Sequence, residues 1–337
     1  MGTPLGEFEL IRRFFVRQTK GGDTKIRGAA ESGVILGIGD DAAVLALPPN
    51  TELIAAVDTI VADRHFPQGT DARSIGHRAL AVNLSDLAAM GATPAWATLA
   101  LTLPSADAAW LTRFSAGLLD LADEHAVSLV GGDTTQGPLT VSVQVLGHVP
   151  RGTALRRDSA HDGDILAVTG TLGDAGAGLA ISTGLWATAP SEAAAAFKQR
   201  FDYPTARVQF GLAARGIASA AMDLSDGLVG DLPKLAQASG LAAHVAVERL
   251  PLSDAMRVSV GANQAREWAL AAGDDYELLL AVPPARFGDL EAAATRLNLR
   301  LTAVGALRAG LGVTWSLDGR DFQPASRGYD HFAQAST

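Results

Sequence analysis

Gly37-Ile38-Gly39-Asp40-Asp41-Ala42-Ala43-Val44 sets two adjacent acids between two apolar runs, Val34-Ile35-Leu36 before them and Ala42 to Leu47 after. The runs read as short buried strands, and the glycines let the backbone turn tightly between them. The stretch begins like a dinucleotide fingerprint, but it lacks the third glycine and no helix pattern follows, so that reading fails. Two carboxylates on a tight turn suit a divalent cation. Asp also stabilises turns by bonding its own backbone, so these residues alone leave turn and metal site both open.

Composition narrows the class. The 337 residues are 48% hydrophobic and 19% charged, as expected for a globular chain long enough for two cores. The net charge of -9, with no cluster of Lys and Arg, argues against nucleic acid or an anionic membrane surface as partner. The chain has no cysteine, which excludes disulfides, thiolate metal sites and cysteine nucleophiles. Charged residues Glu7, Glu9, Arg12 and Arg13 leave no room for a signal-peptide core. No apolar run reaches the roughly 18 residues of a membrane span, and a cytoplasmic location is expected.

Along the chain, residues 5–18 place Leu5, Phe8, Ile11 and Phe14 or Phe15 at helical spacing, and Thr19 to Ser32 reads as a loop. Leu53 to Val57 is a strand that delivers Asp58, with His65 seven residues on. Asp71 to Met90 reads as a helix closed by Gly91, with Ile75, Ala79, Val82 and then Asp86 on one inward stripe beside Asn83. Ser85-Asp86 could instead cap a second short helix. Trp96 to Leu103 is a strand and Asp107 to Ala126 a helix. Ser128 to Thr135 is a strand ending in Gly132 and Asp133, and Leu139 to Val149 returns with Thr140, Ser142 and Gln144 alternating with apolar positions. Pro150-Arg151-Gly152 is the expected domain boundary.

The second half begins with Arg157 and the strand Ile165 to Val168. Gly170 to Gly178 holds four glycines and resembles a phosphate loop, but lacks its Lys-Ser/Thr. Residues 185–200 read as an alanine-rich helical hairpin. Ala218 to Met222 is a strand that enters Asp223-Leu224-Ser225-Asp226-Gly227-Leu228, with a helix from Val229 to Ala238 closed by Gly240. Two acids beside a hydroxyl at a strand-to-helix turn can share a cation and a phosphate, and Ser225 or Asp226 can also serve as N-cap. Gly273-Asp274-Asp275-Tyr276-Glu277 leads into the strand Leu278 to Val282. Gly328-Tyr329-Asp330-His331-Phe332 follows in an otherwise featureless tail.

Six acids, Asp40, Asp58, Asp86, Asp133, Asp223 and Asp226, thus occupy strand ends or an inward helix face. Brought together they would repel, and oxygen-only ligands favour several Mg²⁺ ions over zinc. Mg²⁺ held by carboxylates completes its shell with substrate phosphates, which points to phosphoryl transfer from a nucleotide.

Gly37 to Val44, Asn83 to Ala92, Gly131 to Thr135, Met222 to Leu228, Gly273 to Leu278 and Gly328 to Phe332 together resemble the thiamine-monophosphate kinase family, of the superfamily that includes aminoimidazole ribonucleotide synthetase. The resemblance implies an α/β fold of the α+β type. Residues 1–149 would be an N-terminal α/β domain that binds ATP and Mg²⁺ and whose sheet pairs with its mate in a homodimer. A larger C-terminal α/β domain, 150–337, would follow. It implies transfer from ATP to thiamine phosphate, giving thiamine diphosphate. The six acids would hold Mg²⁺, and Gly132, Asp133, Arg157 and Ser225 would meet ATP. His65, Asp274 and Tyr329 would meet the substrate, where an acid and an aromatic face suit a cationic thiazolium. No general base is expected, because the acceptor phosphate has a second pKa of about 6 and is already ionised. Asp274 stands where the family usually has Glu, Tyr329 where it usually has Trp, and Ala56-Val57 replaces hydroxyl residues before Asp58. Rival superfamily enzymes acting on other substrates remain. Those that form selenophosphate or mature hydrogenases use a reactive Cys or selenocysteine, which this chain lacks. A non-catalytic nucleotide or thiamine-phosphate binder would not need so many acids.

Overall fold

A computed structural model describes residues 6–16 and 33–329, so the expected loop from Thr19 to Ser32 and the end of the chain from Asp330 lie outside the described residues. The chain divides into two compact units. One runs through Leu87 and resumes over Ala92–Gly152; the other holds Ala88–Gly91 and everything from Thr153.

In the first unit, the helix Glu7–Phe14 buries Leu10 and Phe14. Strands β1 (Val34–Leu36) and β2 (Val44–Leu45) pair antiparallel around the acidic turn. They are not the buried strands expected: Ile35 is 68% and Val44 46% exposed, because a two-stranded hairpin offers only one face to its own unit and leaves the other bare. Val34 joins Trp96 and Val130 in a small core, with Ala43 and Leu45 packed against it.

The main sheet is built from β3 (Thr51–Val61), β4 (Thr93–Leu103), β5 (Ser128–Gln136) and β6 (Thr140–Pro150) in the order β3-β6-β4-β5, with only β4 and β5 parallel. Val141, Val143, Val145 and Val149 of β6 are buried while Ser142 and Gln144 alternate with them, the period of a sheet covered on one side.

The helices Ala72–Ala89 and Ala108–Glu124 approach closely through a pair of glycines. A Cβ on Gly76 would lie 2.1 Å from the Phe114 carbonyl oxygen, and one on Gly117 would lie 1.9 Å from that of Arg73. The first helix continues unbroken through Ser85-Asp86, so no second helix is capped there. Asp107 caps the other, accepting from the Ala109 and Trp110 amides.

The second unit carries a seven-stranded sheet of order β13-β12-β9-β11-β7-β10-β8. Its strands are β7 (Ile165–Thr169), β8 (Ala220–Asp223), β9 (Leu241–Ala246), β10 (Leu278–Val282), β11 (Leu301–Ala309), β12 (Gly312–Leu317) and β13 (Arg320–Phe322). All pairs are antiparallel except β9 with β12. The tail expected to be featureless therefore supplies three strands. The core gathers Leu166, Met222, Leu228, Leu232, Leu279 and Val304 from strands and helices alike. The expected hairpin over 185–200 is instead made by the helices Asp174–Ser182 and Ser191–Asp202, whose contact requires Gly178: a Cβ there would meet the Phe197 oxygen at 2.3 Å.

Candidate functional site

In the first unit, Asp40 and Asp41 are exposed on the hairpin turn, and Asp40 Oδ1 accepts from the Asp41 amide at 2.8 Å. Asp58 lies inside β3 rather than at its end, because all eleven residues of β3 pair with β6. As an edge residue its amide points away from β6, and the fully buried Asn83 receives it through Oδ1 at 2.8 Å while Nδ2 donates to the Ala79 carbonyl. The Asn83 amide thus ties helix to strand and holds the backbone of Asp58. Asp86 is half-buried one turn farther along. Its helix is buried almost all round, with Leu80, Ala81, Leu84 and Leu87 at 0% exposure, so the stripe drawn from spacing is not a unique inner face.

Asp133 is exposed in β5. Gly132 beside it has φ 152°, and a Cβ would lie 1.9 Å from the Leu99 oxygen, so the backbone there admits only glycine. Register aligns Asp58 with Val143 and, through it, with Leu99 and Gly132; Asp133 shares the next row with Ala100, Ser142 and Thr59. Successive rows point to opposite faces, and β3 and β5 are opposite edges, about 14 Å apart at three strand spacings. Within one copy these two carboxylates are held apart. His65 is fixed on the turn after β3, where its Nδ1 accepts from the Val61 amide at 3.1 Å, so a neutral ring carries its proton on Nε2.

In the second unit, three separate motifs are laced together by their backbones. The Asp274 amide donates to the Ser225 carbonyl at 2.8 Å, the Tyr276 amide to that of Leu224 at 2.9 Å, and the Tyr329 amide to that of Asp226 at 3.1 Å. Gly273 would place a Cβ 2.5 Å from the Ser225 oxygen and Gly328 one 2.9 Å from the Asp226 oxygen, so both glycines serve this close approach. Asp274 and Tyr276 take left-handed φ of 61° and 50°, and the Tyr276 hydroxyl reaches Asp274 Oδ1 at 3.3 Å. Ser225, Asp226, Asp274 and Tyr329 are therefore neighbours, beside Asp223 at the end of β8. Arg157 is exposed, and its carbonyl receives the hydroxyl of Ser239, the C-cap of the helix Leu228–Ala238. That is the far end of an eleven-residue helix from Gly227, about 16 Å away.

The N-cap of this helix is Gly227, not Ser225 or Asp226. Asp231 reaches back instead: its Oδ2 accepts from the Asp226 amide at 2.9 Å, and its Oδ1 receives Lys234 Nζ at 2.9 Å. Lys234 Nζ also lies 2.6 Å from Asp226 Oδ2. Burial pushes the Asp231 carboxyl above the usual range, and Lys234 opposes the shift. Neither residue stood out in the sequence; the i,i+3 spacing of Asp231 and Lys234 was the available signal.

Behind the laced loops lies a buried polar network. Glu277, fully buried, receives Arg200, Arg207 and the Thr169 hydroxyl. Burial alone would raise its pKa, but Arg207, Arg200 and Thr169 together hold it below the usual value. Asp275 Oδ2 accepts from the Gly173 amide at 2.8 Å, whereas Oδ1 is buried without a hydrogen bond, and burial pushes this carboxyl well up. The resemblance to a phosphate loop is resolved here. The amide at the start of the helix Asp174–Ser182 is taken by a side chain of the chain itself. Gly170, Gly173 and Gly176 admit Glu277, Ala269 and Ala272 at distances no Cβ would allow.

The carboxylate oxygens suit Mg²⁺, and Lys234 already places a cation between two of them. Among the described residues, no three or more His, Cys, Asp or Glu form a group able to hold a metal ion. No helix of the described residues is long and apolar enough to cross a membrane.

Residues 39–149 match the family AIR synthase related protein, N-terminal domain, and residues 161–316 match its C-terminal domain. Thiamine-monophosphate kinase of Salmonella typhimurium is 45% identical over 329 residues, covering 97% of this chain and 98% of the relative. The crystal structure of thiamine-monophosphate kinase from Stenotrophomonas maltophilia superposes with a TM-score of 0.81 at 46% identity, covering 87% of this chain and 93% of that one. AaThiL complexed with AMPPCP and TMP superposes with a TM-score of 0.74 at 31% identity over 85% of this chain and 89% of that one. With both halves matched in order and relatives this similar over nearly its whole length, the chain belongs to the thiamine-monophosphate kinase family.

Proposed function

We propose that this chain transfers the γ-phosphoryl group of ATP to thiamine phosphate, giving thiamine diphosphate and ADP. The observation that carries the reading is the lacing of Ser225, Asp226, Asp274 and Tyr329 into one cluster, in a chain similar throughout to a kinase solved with AMPPCP and TMP. Asp40, Asp58, Asp86, Asp133, Asp223 and Asp226 would hold Mg²⁺. When bound, the metal offsets the repulsion between the two anionic reactants. Gly132, whose missing side chain bares the backbone, Asp133, Ser225 and Arg157 would position ATP. His65 would present Nε2–H to the acceptor, with Asp274 and Tyr329 beside its cationic ring. The acceptor oxygen needs no base, so these residues act by alignment.

The reading includes a homodimer in the cytoplasm. Ile35, Leu36, Val44, Leu53 and Val57 are exposed on β1, β2 and the edge strand β3, and a second copy would cover them. Such pairing would also relieve the separation of Asp58 from Asp133 within one copy.

A coupled assay for ADP tests the function. Release is expected only with thiamine phosphate and Mg²⁺ both present, with thiamine diphosphate as product. Binding of both ligands by calorimetry without that product would overturn the enzyme reading.

A further inference from the structure

Lys234 takes no part in the function proposed above, yet it is the cation nearest to one of its acids. Its Nζ lies 2.6 Å from Asp226 Oδ2 and 2.9 Å from Asp231 Oδ1. The two carboxylates differ. Asp231 is 1% exposed and spends its other oxygen on the Asp226 amide, so it is locked in place. The Asp226 side chain is 30% exposed and that of Lys234 46%, so both can turn toward solvent. Lys234 stands on the second turn of the helix Leu228–Ala238, and its four-carbon stem lets the ammonium leave Asp226 without the backbone moving. Asp231 can keep hold of it meanwhile.

We propose that Lys234 is a tethered counter-cation that competes with a divalent cation for Asp226, and so sets the metal concentration at which this acid is engaged. The inference rests on the reading of Asp226 as a metal ligand. An ammonium and a divalent ion cannot share one carboxylate oxygen without repulsion, so metal entry at Asp226 requires Lys234 to withdraw toward Asp231 or solvent. Lys234 is thus a positioning residue: it keeps Asp226 oriented and its charge balanced, at a cost in metal affinity.

Mn²⁺ is a suitable probe, because carboxylate sites take it as they take Mg²⁺ and the free ion is counted by electron paramagnetic resonance. The full chain is titrated beside Lys234→Met, Lys234→Arg and Asp226→Asn. A partly exposed ion pair is worth up to about 1 kcal/mol, so Lys234→Met should bind Mn²⁺ about three- to fivefold more tightly. Lys234→Arg should stay near the parent. Without metal, Lys234→Met should melt lower than the parent, and the gap should close as Mn²⁺ is added, a readout independent of turnover. Equal or weaker Mn²⁺ binding by Lys234→Met, with a site still lost in Asp226→Asn, overturns the inference and leaves the metal role of Asp226 intact. Unchanged Mn²⁺ binding in Asp226→Asn removes Asp226 from the metal set and overturns both, and that failure shows in a different variant.

Discussion

Two groups of acids, one in each unit, stand in opposite circumstances. Asp40 and Asp133 stand exposed on a hairpin turn and an edge strand, while Asp174, Asp275 and Glu277 are buried to 4% exposure or less in the second unit. An exposed carboxylate keeps its hydration and its free oxygens, so it can exchange water for a cation. A buried one must find its partners in the fold: Glu277 has two arginines and a threonine, and Asp174 has Thr171 and Ser253. Asp275, with one amide partner, is the intermediate case, and burial favours its neutral form. Abundant acid therefore stands in two unlike settings in this molecule, exposed and open to solvent in one and internal bracing in the other.

That contrast can be broken in three ways. The largest effect is expected of Glu277→Gln, which leaves Arg200 and Arg207 without their shared counter-charge. Breaking a buried pair in this way costs about 3–5 kcal/mol. Thermal melting should fall by about 10 °C for a unit of this size. A melting point near that of the parent would show that the network does not brace the fold.

Asp275→Asn should produce a smaller effect with a definite sign in pH. The folded carboxyl titrates well above its ordinary 3.8, so below about pH 4 both states hold the proton and the group contributes nothing. As pH rises past that value the unfolded chain releases its proton first, and wild-type stability declines. The groups around Asp275 are the Gly173 amide, Arg200, Asp174 and Glu277. Asn cannot titrate, so the melting temperature of the variant relative to wild type should climb from pH 4 upward. A flat difference would show that Asp275 is ionised like any surface acid. Glu277 has the opposite sign: its folded pKa is depressed below 4.5, so its contribution is present above that value and lost as pH falls through the folded pKa.

Asp133→Asn should perturb stability least, by less than about 0.5 kcal/mol. Its turnover with ATP and thiamine phosphate should nonetheless drop at least about tenfold. A variant that unfolds, or one that stays fully active, would place Asp133 with the bracing acids or outside the site.

Much of the local structure was legible because periodicity and punctuation agreed. Leu278–Val282 is a strand to the residue, the helix ending before Gly91 is continuous, and β6 alternates as its hydroxyls suggested. Some of what escaped were strands with weak β signatures. Leu241–Ala246 is half alanine, and Leu301–Ala309 carries Gly305 next to a bulge, where a Cβ would meet the His244 oxygen at 1.9 Å. Alanine and glycine carry little strand propensity, so the sheet around them selects the conformation. The acids of the candidate site were picked out by residue type and spacing, but Lys234 and Asp231 were not, because their meaning lies in how one helix turn faces Asp226.

From the sequence alone come the acidic turns, the glycines that let them form, the exclusion of cysteine chemistry and the family resemblance. These depend on residue type and short spacing, which folding does not alter. Tertiary structure alone decided the state of each acid. Asp274 and Asp275 are adjacent, yet one is half-exposed beside Ser225 and the other is buried against Gly173. The reason is that charge is governed by desolvation and by partners far along the chain, such as Arg207 for Glu277, 70 residues away, and no local pattern encodes which partner arrives.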